Sequence, residues 1–286
     1  MTIAELYNDF VSRLSGIYDK REAANITDWV MESVTALSRA KILASPEFDV
    51  SEKNRGILHN YLHQLLQHKP VQYVLNEAWF YKMRFYINEH VLIPRPETEE
   101  LVSWIVEEDK IDESRSINIL DIGTGSGCIA VSLKKNIPRA AVTAIDISEK
   151  ALEVANKNAR ELNTPIHFLQ IDFLNDQSSD RLHRYDVIVS NPPYIPINEK
   201  EKLARNVAAF EPPVALFVNN DTPFLFYEVI AAFSKKHLNE NGKIYAEVHE
   251  DYATEVSKIF SEKNFIPEIR KDMYGKNRMI KAIRKK

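Results

Sequence analysis

From Ile3 to about Leu75 apolar residues recur at three- and four-residue intervals, as in Leu58, Tyr61, Leu62, Leu65 and Leu66. That spacing gathers them on one face of a helix, and Gly and Pro, which interrupt helices, are scarce in this stretch. The pattern predicts a small helical domain over residues 1–75. Between Trp79 and Ile93 the period shortens to two, with Met83, Phe85 and Ile87 alternating and a turn signal at Asn88-Glu89-His90. A short β-hairpin connector is therefore expected over 76–96. Beyond it Thr98 stands where a residue would cap a helix running through Leu101, Val102 and Ile105.

Residues 97–286 then alternate between strand-like and helix-like segments. The predicted strands are Ile117-Ile122, Ala141-Ile145, Ile166-Gln170, Val187-Ser190 and Lys243-Glu247, with a final pair near Phe265-Lys271 and Met279-Ile283. Apolar runs such as Asp186-Val-Ile-Val-Ser190 suit strands covered by helices on both faces, and strand-helix-strand connections make the early sheet parallel. The fold class is α/β, and in such sheets ligands sit beyond the carboxyl ends of the strands. No internal repeat, low-complexity segment or long linker interrupts the pattern.

Composition narrows the functions open to this fold. A length of 286 residues suits a main domain and a smaller one, and 44% hydrophobic with 27% charged residues is ordinary for a globular protein with a sizeable core. Lys and Arg number 37 against 41 Asp and Glu, a net charge of -4, so no global positive field favours a nucleic-acid partner. The single cysteine, Cys128, excludes an internal disulfide, and the opening Met1-Thr2-Ile3-Ala4-Glu5 lacks a basic region followed by an apolar core. A cytoplasmic location is expected. No apolar run approaches the ~20 residues a membrane-spanning helix needs.

The strand Ile117-Ile122 runs into Gly123-Thr124-Gly125-Ser126-Gly127 and then the helix-compatible Cys128-Ile-Ala-Val-Ser-Leu. Glycines there let the backbone approach a ligand. A dinucleotide fingerprint puts its third glycine three positions after the second, where this chain has Cys128; that spacing favours S-adenosylmethionine over NAD. Asp146 stands 19 residues beyond Gly127 at the end of the next strand, placed to accept hydrogen bonds from a ribose diol. The plainer alternative is a tight turn, with Asp146 capping the helix at Ser148-Glu149-Lys150. Asp172-Phe173 ends the following strand, where the ring can pack on adenine and the carboxylate meet its exocyclic amine. Taken alone, that pair reads as an ordinary turn.

The sharpest feature is Asn191-Pro192-Pro193-Tyr194, directly after the strand Tyr185-Asp-Val-Ile-Val-Ser190. An amide or aromatic-amine nitrogen is a poor nucleophile because its lone pair is delocalised, so an enzyme must hold it in a geometry that frees the pair. The Asn191 side-chain oxygen and the Pro192 carbonyl can each accept one hydrogen of an NH2 group and aim its lone pair at a methyl donor. No strong base is required, because the nitrogen becomes acidic as it bonds to carbon. The two prolines fix the backbone and remove two donors, and Tyr194 would lie against the planar group. The bland alternative is a rigid turn closing a strand.

Together these residues resemble the peptide chain release factor glutamine methyltransferase family, across most of the chain. The match includes Val91-Leu92-Ile93-Pro94-Arg95-Pro96-Glu97-Thr98-Glu99, Tyr194-Ile195 and Phe210-Glu211-Pro212-Pro213-Val214-Ala215-Leu216. Of these, Pro96-Glu97-Thr98-Glu99 discriminates best against a related family acting on a ribosomal protein's glutamine. The resemblance implies a Rossmann-like S-adenosylmethionine-dependent methyltransferase domain over 97–286 behind the helical domain and hairpin. It implies S-adenosyl-L-methionine as cofactor, leaving as S-adenosyl-L-homocysteine, and Gly123, Thr124, Gly125, Ser126, Gly127, Asp146, Asp172, Phe173 and Asn191 as its binding residues. Asn191, Pro192 and Tyr194 would be catalytic, and Asn191 to Tyr194 would hold the substrate. That substrate would be the glutamine of a Gly-Gly-Gln loop in class-1 release factors, gripped by the helical domain and connector, and a monomer is expected. Asn76 and Lys82 fall where the family often has glycine, and Val218-Asn219-Asn220-Asp221 and Glu247-Val248-His249 replace glycine-bearing versions. These departures bear on loop conformation rather than chemistry. Arg95 and Glu97 would order the connector or pair with each other.

His59 and His63 lie one helical turn apart with His68 beyond, yet no Glu, Cys or Asp is spaced to complete a tetrahedral site, so no metal is expected. Cys128 is taken as a small buried residue, and the basic tail Lys281 to Lys286 as solvated. Two other functions remain to be weighed: an adenine methyltransferase, since the same acceptors suit a flipped base, and a non-catalytic S-adenosylmethionine-binding scaffold. The acidic balance and the Val91 to Glu99 segment argue against the first; intact Asn191 and Tyr194 argue against the second.

Overall fold

The computed structural model describes residues 1–109, 116–175 and 181–285; Lys286, the last residue of the basic tail, lies outside them. The chain divides into two compact units, Met1–Glu77 with Ala204–Phe210, and Ala78–Leu203 with Glu211–Lys286.

The first unit holds α1 (Ile3–Leu14), α2 (Lys20–Thr35), α3 (Arg39–Ala44), α4 (Glu52–Leu66) and α5 (Val71–Leu75). Reciprocal side-chain bonds start α1: the Glu5 amide donates to Thr2 Oγ1 at 3.2 Å and the Thr2 amide to Glu5 Oε2 at 2.8 Å. They satisfy donors the helix itself leaves unpaired. Ile3, Leu6, Phe10 and Leu14 bury one face of α1 against Val30 and Met31 of α2 and Leu58, Leu62 and Leu65 of α4. The helical spacing seen in the sequence is thus the core face, with Tyr61 and Leu66 packed on its margin.

Next come β1 (Glu77–Phe80) and β2 (Met83–Tyr86), a hairpin closed by Tyr81 and Lys82 at φ of 48° and 63°. The expected turn at Asn88-Glu89-His90 exists, closed by the Val91 amide on the Asn88 carbonyl at 3.2 Å, but it follows the hairpin instead of forming it. Two consecutive left-handed residues match the right-handed twist of paired strands, a conformation glycine or asparagine adopts more readily than Tyr or Lys. The alternation of Met83 and Phe85 thus lies on β2, and the turn that joins β2 to its partner is at Tyr81-Lys82.

The second unit continues with α6 (Pro96–Asp109), β3 (Asn118–Ile122), α7 (Cys128–Asn136), β4 (Ala141–Asp146), α8 (Glu149–Glu161), β5 (His167–Gln170) and β6 (Tyr185–Ser190). After these lie β7 (Ile195–Pro196), α9 (Arg205–Phe210, counted with the first unit), α10 (Pro213–Leu216) and β8 (Phe217–Val218). The chain ends with α11 (Leu225–His237), β9 (Leu238–Glu247), α12 (Ala253–Glu262), β10 (Phe265–Lys271) and β11 (Asn277–Arg284). A seven-stranded sheet runs in the order β10-β11-β9-β6-β3-β4-β5. Strands β5, β4, β3, β6 and β9 are mutually parallel, and β11 enters antiparallel between β9 and β10. Every residue of β6 is buried, including Asp186 and Ser190 at either side of its apolar Val187-Ile188-Val189.

The chain moves outward from β3 through β4 to β5, then returns to place β6 on the other side of β3. This reversal is the topological switch point of an open α/β sheet, where a crevice opens at the carboxyl ends. The glycine run follows β3 and Asn191 follows β6, so the two candidate motifs leave neighbouring strands at that crevice. The Ser190 hydroxyl donates to the Ile122 carbonyl at 2.8 Å and pins the two strand ends together.

Candidate active site

Gly123, Gly125 and Gly127 have φ of 71°, 53° and 80°, conformations that cost L-residues strain. The Gly123 and Thr124 amides both donate to the Ile145 carbonyl at 2.9 Å, holding the loop on β4. A Cβ added at Gly123 or Gly125 would meet no atom of the described residues within 4 Å, whereas one at Gly127 would lie 3.1 Å from Ala155 Cβ on α8. The first two glycines thus expose backbone to open space, and the third allows α7 and α8 to approach.

That open space is a cavity of about 400 Å³ whose wall includes Gly123, Thr124, Gly125, Ser126, Asp146 and Asn191. Its size falls in the range of roughly 300–1,000 Å³ that holds small organic ligands. Asp172, Phe173 and Pro193 also line it; Gly127, Pro192 and Tyr194 do not. Pro192 is buried beside the wall, and Tyr194 turns its ring onto the core of the unit, edge-on to His249 at 6.1 Å.

Asp146 accepts from the Gly125 amide through Oδ2 and from the Ser148 amide through Oδ1, both at 2.9 Å. Ser148 itself caps α8, accepting from the Ala151 amide at 3.2 Å, so Asp146 is not that helix's cap. Burial pushes its carboxyl pKa up, opposed by the amides of Ser148 and Gly125. Each oxygen keeps a lone pair for a further donor. Asp172 accepts from the Leu174 amide at 3.1 Å, and Phe173 meets Phe233 edge-on at 5.3 Å, so this turn presents both a carboxylate and an anchored ring.

Four groups of residues supporting this wall escaped the sequence reading. Asp121, fully buried at the end of β3, accepts the Thr124 hydroxyl at 2.6 Å. Among the described residues its other oxygen has no partner of normal geometry. Burial pushes its pKa up to about 7, although the Thr124 hydroxyl and the Ala130 amide favour the charged form. Asn158 on α8, also buried, accepts from the Tyr86 amide at 2.7 Å and donates to the Tyr86 and Ser126 carbonyls at 2.9 Å. It fastens the hairpin to the glycine loop.

Glu211, 3% exposed, accepts from the Ile93 amide at 3.1 Å and pairs with Arg95. Arg95 therefore pairs with Glu211 rather than Glu97. Thr98 does not cap α6, which begins at Pro96, where a missing N–H costs nothing. Its hydroxyl instead donates to Glu247 Oε2 at 2.6 Å and accepts from Asn191 Nδ2 at 3.0 Å. Tyr194 donates to Glu247 Oε1 at 2.9 Å. Of these, Asp121 and Glu247 had a visible signal, each being a lone acid at the end of an apolar strand. Cys128, beside the cavity, is pushed up to about 12 by burial and stays a neutral thiol.

Comparison with known proteins agrees with this geometry. The family described as Methyltransferase small domain matches residues 105–211, and the PrmC N-terminal domain matches residues 5–75. The fold is accordingly Rossmann-like, as expected. Release factor glutamine methyltransferase of Flavobacterium psychrophilum is 41% identical over 99% of both chains. That of Streptococcus pneumoniae is 38% identical over 98% of both. The T. thermophilus 16S rRNA N2 G1207 methyltransferase, solved with AdoMet and guanosine, shares 17% identity with a TM-score of 0.50 over 73% of this chain and 50% of that one, a likeness of fold alone. Identity of this extent, over nearly the whole length, means that the chain belongs to the release factor glutamine methyltransferase family.

Proposed function

We propose that this enzyme transfers a methyl group from S-adenosyl-L-methionine to the side-chain amide nitrogen of the glutamine in the Gly-Gly-Gln motif of class-1 release factors, and so modulates translation termination. The observation that carries the reading is Asn191. It lines the same cavity as the glycine loop and Asp146, and its NH2 is bonded to Thr98, which leaves its carbonyl oxygen to accept.

Bound S-adenosylmethionine supplies a methyl group on a positively charged sulfur. The open space over Gly123 and Gly125 would let its methionine part lie close to the backbone, the Asp146 carboxylate would accept from its ribose, and Asp172 with Phe173 would hold its adenine. Asn191 Oδ1 and the Pro192 carbonyl accept the two hydrogens of the glutamine NH2 and direct its lone pair along the line of transfer. Transfer would return the C–S electron pair to sulfur, and the nitrogen, acidic once it bonds to carbon, would lose one of the two hydrogens held by Asn191 Oδ1 and the Pro192 carbonyl to solvent. Residues 1–75 and 76–96 grip the release factor while 97–286 carries the reaction, in a monomer working in the cytoplasm. Among the described residues no helix is long and apolar enough to cross a membrane, which is consistent with that location.

Asn191→Ala tests the acceptor role. Calorimetry should find S-adenosylmethionine binding retained, while transfer to release factor falls by roughly a hundredfold or more, the loss typical of removing one preorganised group at a reacting centre. Equal turnover in the variant would sink the mechanism.

A further inference from the structure

An asparagine positions an NH2 substrate only if its oxygen faces that substrate; turned over, it presents two donors to two donors. The amide itself has little preference, because its two ends are nearly the same size. Something must choose. Thr98 has one hydroxyl hydrogen, and it is given to Glu247 Oε2 at 2.6 Å. The hydroxyl can then only accept from Asn191, and it does so from Nδ2 at 3.0 Å. Glu247, 1% exposed, is held from its other side by the Tyr194 hydroxyl, which donates to Oε1 at 2.9 Å. Burial pushes the Glu247 carboxyl pKa up, while the Thr98 and Tyr194 hydroxyls favour its charged form; in that form both oxygens can only accept, and each bond in the chain has one workable direction.

Resting on the methyl-transfer reading above, we infer that Thr98 and Glu247 are positioning residues: they fix the amide of Asn191 with its oxygen toward the cavity. No described residue donates to Asn191 Oδ1, so the orientation comes from the Nδ2 side alone. The negative charge of the carboxylate also pushes electron density back along the chain, through the Thr98 hydroxyl into the Asn191 amide. This makes Oδ1 a stronger acceptor just as the substrate nitrogen gains positive charge. Tyr194 acts here through Glu247 instead of by touching the substrate, which accounts for its absence from the cavity wall. Thr98 lies on α6 and Glu247 at the end of β9, so three separate chain segments converge on one amide.

The test compares Thr98→Val, Thr98→Ser and Thr98→Cys in the full chain, with release factor as substrate and labelled S-adenosylmethionine as donor. Thr98→Val should lower kcat by about tenfold to a hundredfold, the scale of a misplaced reacting group, while the Kd of S-adenosylmethionine and the KM of release factor change less than threefold. Thr98→Ser, which restores the hydroxyl, should recover kcat to near wild type. Thr98→Cys, a weak donor and acceptor, should fall between and serves if the valine variant does not fold. A separate NMR readout needs no turnover. The Asn191 side-chain NH2 signals, assigned by their loss in Asn191→Ala, should be well separated in wild type and Thr98→Ser and move together in Thr98→Val.

Wild-type kcat in Thr98→Val, failure of serine to rescue, or NH2 signals unmoved by valine would each overturn the inference while leaving the methyl-transfer reading intact. Absence of transfer by wild type would remove that reading. The NH2 signals would then still show whether Thr98 orients Asn191.

Discussion

Replacing Gly125 or Gly127 by alanine adds the same methyl group two positions apart, with different expected consequences. Both residues have left-handed backbones, φ 53° and 80°, so either substitution carries about 1–2 kcal/mol of conformational strain. At Gly125 no atom of the described residues lies within 4 Å of the new Cβ, and the cost to the fold stops there. At Gly127 the new atom falls 3.1 Å from Ala155 Cβ and 3.2 Å from Ala155 Cα. A backbone atom cannot rotate aside, so overpacking adds about 1–3 kcal/mol. For a unit of about 200 residues, with 2–4 °C per kcal/mol, Gly127→Ala should melt roughly 2–12 °C below Gly125→Ala. Ligand affinity should invert that order. Gly125→Ala fills space that the cofactor would occupy and should weaken S-adenosylmethionine binding by about tenfold, equivalent to ~1.4 kcal/mol; folded Gly127→Ala should bind nearly as wild type. Thermal unfolding and calorimetric titration of the two variants measure both. Equal melting would refute the α7–α8 packing argument, and undiminished affinity in Gly125→Ala would refute the placement of the cofactor over this loop.

Two further outcomes concern the scaffold. Asp121 holds its proton up to about pH 7 when folded, against an ordinary 3.8. Between those values the folded chain keeps a proton that the unfolded chain has released, so this residue's contribution to stability falls as pH rises through the window. Urea midpoints of wild type relative to Asp121→Asn should therefore decline from pH 4 to pH 7, roughly the interval between the two values, and parallel curves would contradict the assignment. Lys82→Gly should relieve about 1 kcal/mol of left-handed strain at φ 63°, raising the melting temperature by about 2–4 °C; a fall would show that the Lys82 side chain contributes more than its backbone costs.

Periodicity alone revealed much of this fold, because amphipathic helices and fully buried strands carry strong local signals. The face Leu58, Leu62 and Leu65, and β6 with its six buried residues, are examples. The turn joining β1 to β2 went unmarked because Tyr81 and Lys82 carry none of the chemistry that marks a tight turn. Within the site, the glycine run, Asp146 and Asn191 were legible because each belongs to a local motif at a strand end. The bonds among Thr98, Asn191 and Glu247, or between Ile93, Arg95 and Glu211, join residues separated by more than 90 positions. Thr98 read as a helix cap because its sequence neighbours suggest one; only the sheet brings Glu247 to its hydroxyl.

The central claim is that the cavity methylates a release factor glutamine, and transfer of labelled methyl from S-adenosylmethionine tests it most directly. Purified class-1 release factor, the same protein with its Gly-Gly-Gln glutamine changed to alanine, and DNA would be offered in parallel. The account predicts label on the intact release factor alone. Label on DNA alone, or equally on the alanine variant, would contradict it.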